Sequence, residues 1–158
     1  MYKLAISTSG EYVSAAIFEE KLLASFVSKT NKGSTGILLN QINELFDKTK
    51  ASRNDLNALY LDVGPGYYTG LRIGLSVSQG LGAVLGIPII PVNGLDALAF
   101  AAHTSHRKIC SLIDIKRNEF AYCEYMPVPG GVTRESDPQV ISVENLEIKP
   151  QEFSFLNF

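Results

Sequence analysis

Histidine and cysteine are scarce in this 158-residue chain, and basic residues do not outnumber acidic ones. The only histidines are His103 and His106, and the only cysteines are Cys110 and Cys123. Most of the ligands a transition-metal site draws on are therefore missing. The histidines stand beside Arg107 and Lys108 with no carboxylate or thiol in the local sequence, which reads as solvated surface. The cysteines lie in apolar, strand-like stretches without metal-ligand spacing. Buried free thiols in a reducing compartment are the expectation, a disulfide the alternative. A formal charge of −2 leaves no basic stripe from which the chain could grip RNA by itself. No apolar run is long enough to span a membrane, and polar residues at 7–12 argue against a signal peptide. A cytoplasmic protein without a metal of its own is expected.

What is present centres on Gly64-Pro65-Gly66-Tyr67-Tyr68-Thr69-Gly70-Leu71-Arg72-Ile73-Gly74. The apolar run Leu59 to Val63 reads as a buried strand, and Gly70 to Leu85 as a helix. Between them Gly-Pro-Gly makes a tight turn, and Thr69 is the expected N-cap of the helix. The segment lacks the Gly-Lys-Ser/Thr ending of a P-loop, which excludes that phosphate mechanism. Free amides at a helix start still attract anions. Gly64, Pro65, Gly66 and Thr69, with Ser7 and Thr8 of the first turn, are therefore the candidate anion-binding residues. Arg72 stands in the first helical turn against the helix dipole, which calls for a carboxylate or an interface as its partner.

Gly70, Gly74, Ser78, Gly82 and Gly86 recur every four residues, although each interior glycine costs about 1 kcal/mol relative to Ala. Steps of four trace one slanted row on a helix, so these residues form a groove that lets another helix approach closely. The approaching helix could belong to the same chain or to another protein.

Residues 2–29 read as three strands joined by short turns, hence an antiparallel meander. Ser34 or Thr35 can cap a helix to about Thr49, with Ile37, Leu38, Ile42, Leu45 and Phe46 on one face. A strand from Asp55 to Val63, the glycine-rich helix and a strand from Ile87 to Val92 imply parallel, right-handed crossovers. Asn93 caps a short helix. Lys108 to Ile113 and Asn118 to Tyr125 read as a hairpin about the polar turn Asp114–Arg117. Pro127 to Gly131 reads as a loop, and Gln139 to Val143 as a further strand. Three antiparallel strands followed by alternating helices and strands is the order of a ribonuclease-H-like lobe. An α/β fold with a complete lobe over 1–106 and a partial second lobe over 107–158 follows.

The segment 64–74 closely resembles the signature of the bacterial TsaB (YeaZ) proteins. Leu4-Ala5-Ile6-Ser7-Thr8-Ser9 is similar to that family's opening strand and turn. Gly80-Leu81 through Gly86 to Val92 is similar to the stretch after its signature. Asp114-Ile115-Lys116-Arg117-Asn118-Glu119 resembles its Asp-Ala-Arg-x-x-Glu segment, with Ile-Lys in place of Ala-Arg. The resemblance covers about residues 1–126. It implies the actin-like ATPase (ASKHA) fold and a role in making threonylcarbamoyladenosine in tRNA. Family members usually continue beyond position 158, so a reduced second lobe or a truncated chain is expected.

For function, the resemblance implies a non-catalytic scaffold subunit that dimerises with the catalytic TsaD subunit, and a homodimer when that partner is missing. The pairing face is placed on the 34–49 and 70–85 helices, with Ile37, Leu38, Gln41, Gly70, Arg72, Gly74, Ser78 and Gly82 as its residues. ATP and magnesium belong to the assembled complex with the TsaE ATPase rather than to this chain alone, and tRNA is reached through that complex. Where relatives often carry Asp after the first strand, this chain has Ser7, a poor replacement in a magnesium shell. TsaD carries a His-x-x-x-His pair on its first long helix, and Ser34–Thr49 has no histidine, so a metallopeptidase is not expected. A degenerate TsaB paralogue that only self-associates, or a weak nucleotide-binding ASKHA protein, are the alternatives.

Overall fold

Alternation of apolar residues builds the first sheet. In the computed structural model, which describes residues 1–29, 34–145 and 153–157, β1 (Tyr2–Ser7), β2 (Tyr12–Phe18) and β3 (Leu22–Lys29) form the antiparallel meander. After α1 (Ser34–Thr49), β4 (Leu56–Asp62) pairs parallel with β1. The chain crosses through α2 (Tyr68–Leu85) to β5 (Ile89–Val92), parallel to β4. The strand order is β3-β2-β1-β4-β5, that of a ribonuclease-H-like lobe. One face presents Leu4, Ile6, Val13, Ala15, Ile17, Leu59 and Leu61 to Leu38, Ile42, Leu45 and Phe46 of α1 and Val77 of α2. The period of two in the strands meets the period of 3.6 in the helices, and that shared layer is the core. The expected α1 caps, Ser34 and Thr35, have side chains outside the described residues, as does Phe158.

The second sheet repeats the plan in shorter form. β6 (Lys108–Lys116) and β7 (Glu119–Val128) make a hairpin. β8 (Gly131–Arg134) and β9 (Gln139–Ser142) then pair antiparallel with successive stretches of β7, as one interrupted strand. β10 (Phe153–Asn157) lies parallel to β6, in the place β4 takes beside β1. The loop expected over 127–131 narrows to Pro129-Gly130, because Pro127 and Val128 already pair with Val132 and Gly131 and Gly130 adopts φ +81°. Two ribonuclease-H-like sheets in one chain give the ASKHA, actin-like fold.

The helix α3 (Gly94–Ala101) is capped as expected, Asn93 Oδ1 accepting from the amides of Leu95 and Asp96. Its Leu95 and Ala99 pack with Ile109, Ala121, Cys123 and Tyr125 of the second sheet. The compact units therefore divide at Val92/Asn93 instead of 106/107, and Gly64–Gly66 join the second unit. Asp96 ties α3 to this sheet: Arg134 donates to both its oxygens (2.7 and 2.6 Å), and the buried Tyr125 hydroxyl donates to Oδ1 at 2.8 Å. Both cysteines are buried free thiols, and burial raises Cys110 to about 11.

Candidate functional site: the glycine turn and the α2 helix

The motif is held at both ends by main-chain bonds. The Gly64 carbonyl accepts from the Gly94 amide at 2.8 Å, and the Tyr67 amide donates to the Ser9 carbonyl at 2.6 Å. The Gly64–Pro65 peptide is cis, and Gly64 is buried at φ +92°, a backbone region glycine adopts freely. Tyr67, not Thr69, occupies the N-cap position, without a side-chain cap bond. Bonds to the Ser9 and Gly64 carbonyls set where the chain enters the helix, and Thr69 falls inside the first turn, exposed.

The hydroxyls beside the turn already have acceptors. Ser7 Oγ donates to Asp62 Oδ2 at 2.7 Å and Ser9 Oγ to the same oxygen at 2.5 Å. Thr8 Oγ1 donates to the Gly70 carbonyl at 2.7 Å. Asp62 thus takes up the Ser7 and Ser9 donors and sets a negative charge beside the turn. Asp62 is the residue that the sequence reading missed. Its signal was an acid ending an otherwise apolar strand, two residues before the motif.

The small-residue row of α2 faces inward. A Cβ on Gly70 would lie 1.9 Å from the Thr8 carbonyl oxygen, and one on Gly74 would lie 2.4 Å from Thr8 Oγ1. One on Gly82 would lie 3.2 Å from Ile89. Ser78 is completely buried, with no partner for its hydroxyl among the described residues. The placement of Gly70, Gly74, Ser78 and Gly82 at a partner interface is therefore corrected. They let α2 sit close on β1, β4 and β5 of its own sheet. Leu38 is likewise a fully buried core residue. Gly86 ends the helix in the left-handed conformation, φ +65°.

The outward stripe of α2 is different in kind. Tyr68, Arg72, Leu75 and Gln79 follow one another at four- and three-residue steps and are all exposed, Tyr68 at 74% and Leu75 at 44%. The Arg72 guanidinium lies over the Tyr68 ring at 5.5 Å, so among the described residues a ring rather than a carboxylate accompanies this cation. On α1, Leu39 is exposed, while Ile37 and Gln41 are half-buried and Gln41 bonds Glu44. Among the described residues no group of three or more His, Cys, Asp or Glu side chains is placed to hold a metal ion. His103 Nδ1 lies 2.8 Å from the Phe100 carbonyl oxygen, and its ring stacks on Phe100.

Comparison with known proteins agrees with this architecture. Residues 26–154 match the family model for TsaD, tRNA N6-adenosine threonylcarbamoyltransferase. The chain is 31% identical over 125 residues to a tRNA threonylcarbamoyladenosine biosynthesis protein TsaB of Buchnera aphidicola, covering 78% of this chain and 60% of that one. It is 27% identical over 140 residues to TsaB of Escherichia coli, covering 87% and 61%. The YeaZ structure from Pseudomonas aeruginosa superposes with a TM-score of 0.81 at 26% identity, over 93% of this chain and 69% of that one. The chain thus spans about three-fifths of these two curated relatives. Motif, sheet order and these similarities agree: the chain belongs to the TsaB (YeaZ) family.

Proposed function

We propose that this chain is a non-catalytic scaffold subunit for threonylcarbamoyladenosine modification of tRNA, pairing with a TsaD-like catalytic subunit through the outer faces of α1 and α2. The observation that carries the reading is the exposed stripe Tyr68, Arg72, Leu75 and Gln79 on a helix whose opposite side packs on its own sheet. Tyr and Arg are enriched among interface residues that contribute most to binding, and a Leu between them supplies apolar area. Relatives named as biosynthesis proteins of this modified nucleoside supply the context. In the absence of TsaD the same stripe meets its copy about a two-fold axis, as a self-complementary helix face can.

ATP and magnesium enter this reading as components of the assembled complex with a TsaE-like ATPase. The 7–9 turn, with its Ser7 and Ser9 hydroxyls on Asp62 and its Thr8 hydroxyl on the Gly70 carbonyl, supports that placement over nucleotide binding by the chain itself. The test is a reconstitution with TsaD-like and TsaE-like subunits, measuring the modified nucleoside in tRNA by mass spectrometry. Product should need this chain in addition to the others. Equal product without it contradicts the scaffold role, and magnesium-dependent ATP turnover by the chain alone favours the nucleotide-binding alternative.

A further inference from the structure

The β6–β7 hairpin ends in a feature that the pairing face leaves unused. Lys116 pairs across the hairpin with Glu119, so the loop itself is Arg117 and Asn118. Lys116, Arg117 and Asn118 all have positive φ, at 72°, 60° and 61°. Two successive left-handed residues make the type I′ turn that suits hairpin twist, and Asn-Gly fills it at least cost. Asn118 tolerates that backbone. Arg117 and Lys116 do so poorly, because Cβ crowds the following carbonyl. The surroundings enforce the conformation: Asp114 Oδ1 accepts from the Lys116 amide at 2.7 Å, and the Asn118 carbonyl accepts from the Val143 amide at 2.9 Å. The Lys116 ammonium lies 3.9 Å from Asp114 Oδ2. Arg117 is exposed at the apex and makes no ion pair or hydrogen bond among the described residues.

We propose that this tip is a phosphate contact, with Arg117 meeting the tRNA backbone once the complex has assembled. An arginine fork matches two phosphate oxygens, and a braced apex presents it without ordering a loop on binding. A backbone conformation held against local preference is a pointer to function. One placed cation sets register on an RNA; it does not grip it, which agrees with a chain of net charge −2. The inference rests on the tRNA-modification reading above.

The test uses the complex of this chain with its TsaD-like partner and an unmodified tRNA transcript, followed by fluorescence anisotropy over a salt series. Arg117→Ala should weaken binding by about threefold or more and reduce the log–log salt slope by about one. The double variant Arg117→Asn, Asn118→Gly should weaken binding equally while raising the Tm of the chain by about 2–4 °C. A residue needed only for the turn cannot produce that opposition. Unchanged affinity and slope in both variants overturn the proposal. So does lost assembly seen by sedimentation before tRNA is added, which makes the tip a protein contact. A wild-type chain that never joins the partner overturns the underlying reading instead, and this inference with it.

Discussion

Gly70→Ala separates an inward glycine row from an outward one. The new methyl would sit 1.9 Å from the Thr8 carbonyl oxygen, a main-chain atom that cannot rotate away. Restoring an ordinary contact of about 3.4 Å opens α2 from the β1–β2 turn by roughly 1.5 Å. That movement breaks the Thr8 Oγ1 bond to the Gly70 carbonyl and strains the Tyr67 amide bond to Ser9. Overpacking costs about 1–3 kcal/mol. Each lost hydrogen bond costs about 1 kcal/mol. The gain in helix propensity offsets at most about 1 kcal/mol. A net loss of about 2–4 kcal/mol lowers Tm by roughly 5–15 °C in a chain of this size. Gly80, exposed on the same helix with open space around its Cβ position, is the control. Gly80→Ala should raise Tm by about 2–4 °C. Thermal unfolding followed by circular dichroism measures both. Two alanine variants that are equally stable, or a stabilised Gly70→Ala, would refute the inward packing.

Ser78→Ala removes a fully buried hydroxyl without a partner and adds helix propensity, so it should raise the urea midpoint by an amount worth about 1 kcal/mol. A lowered midpoint would reveal a hydrogen bond to an internal water. At Asp96, burial acts to raise the pKa, but hydrogen bonds from Arg134 and Tyr125 and the Arg134 charge outweigh it and hold the carboxyl below the usual carboxylate range. A lowered folded-state pKa contributes stability that is complete above the unfolded value and lost as pH falls through the folded one. Stability should therefore drop below about pH 4 in the native chain. Asp96→Asn should be less stable at pH 7 yet show a smaller acid-induced loss, read from Tm against pH. A native-like acid slope in that variant would place the titrating group elsewhere.

The first sheet was legible because it is local. Alternation in β1 to β3, the α1 apolar face and the short turns each speak within a few residues, and the antiparallel meander follows from them. The glycine row was legible as a row but not in its direction. Small residues every four positions permit close approach on whichever side they face, and the neighbour that decides is Thr8, far away in sequence. The N-cap shifted to Tyr67 for the same reason, since carbonyl and amide partners at Ser9, Gly64 and Gly94 set the turn. Asp62 escaped notice because its role depends on two distant serines, one ending β1 and one in the turn after it. In the second sheet the β6–β7 hairpin was readable. The split of its third strand into β8 and β9, and the parallel docking of β10 on β6, depend on long-range pairing that no local pattern announces. The boundary at 106 failed to anticipate that α3 packs with β6 and β7.

The most direct measurement is sedimentation velocity of the chain mixed with the TsaD-like protein of its own organism, for the wild type and for Leu75→Asp. Leu75 is exposed on α2, so the charge should leave folding intact, as circular dichroism will show. One mixed species is expected for the wild type and two separate species for the variant. Wild-type chains that ignore the partner, or a folded Leu75→Asp chain that joins it as well as the wild type does, would contradict the pairing face.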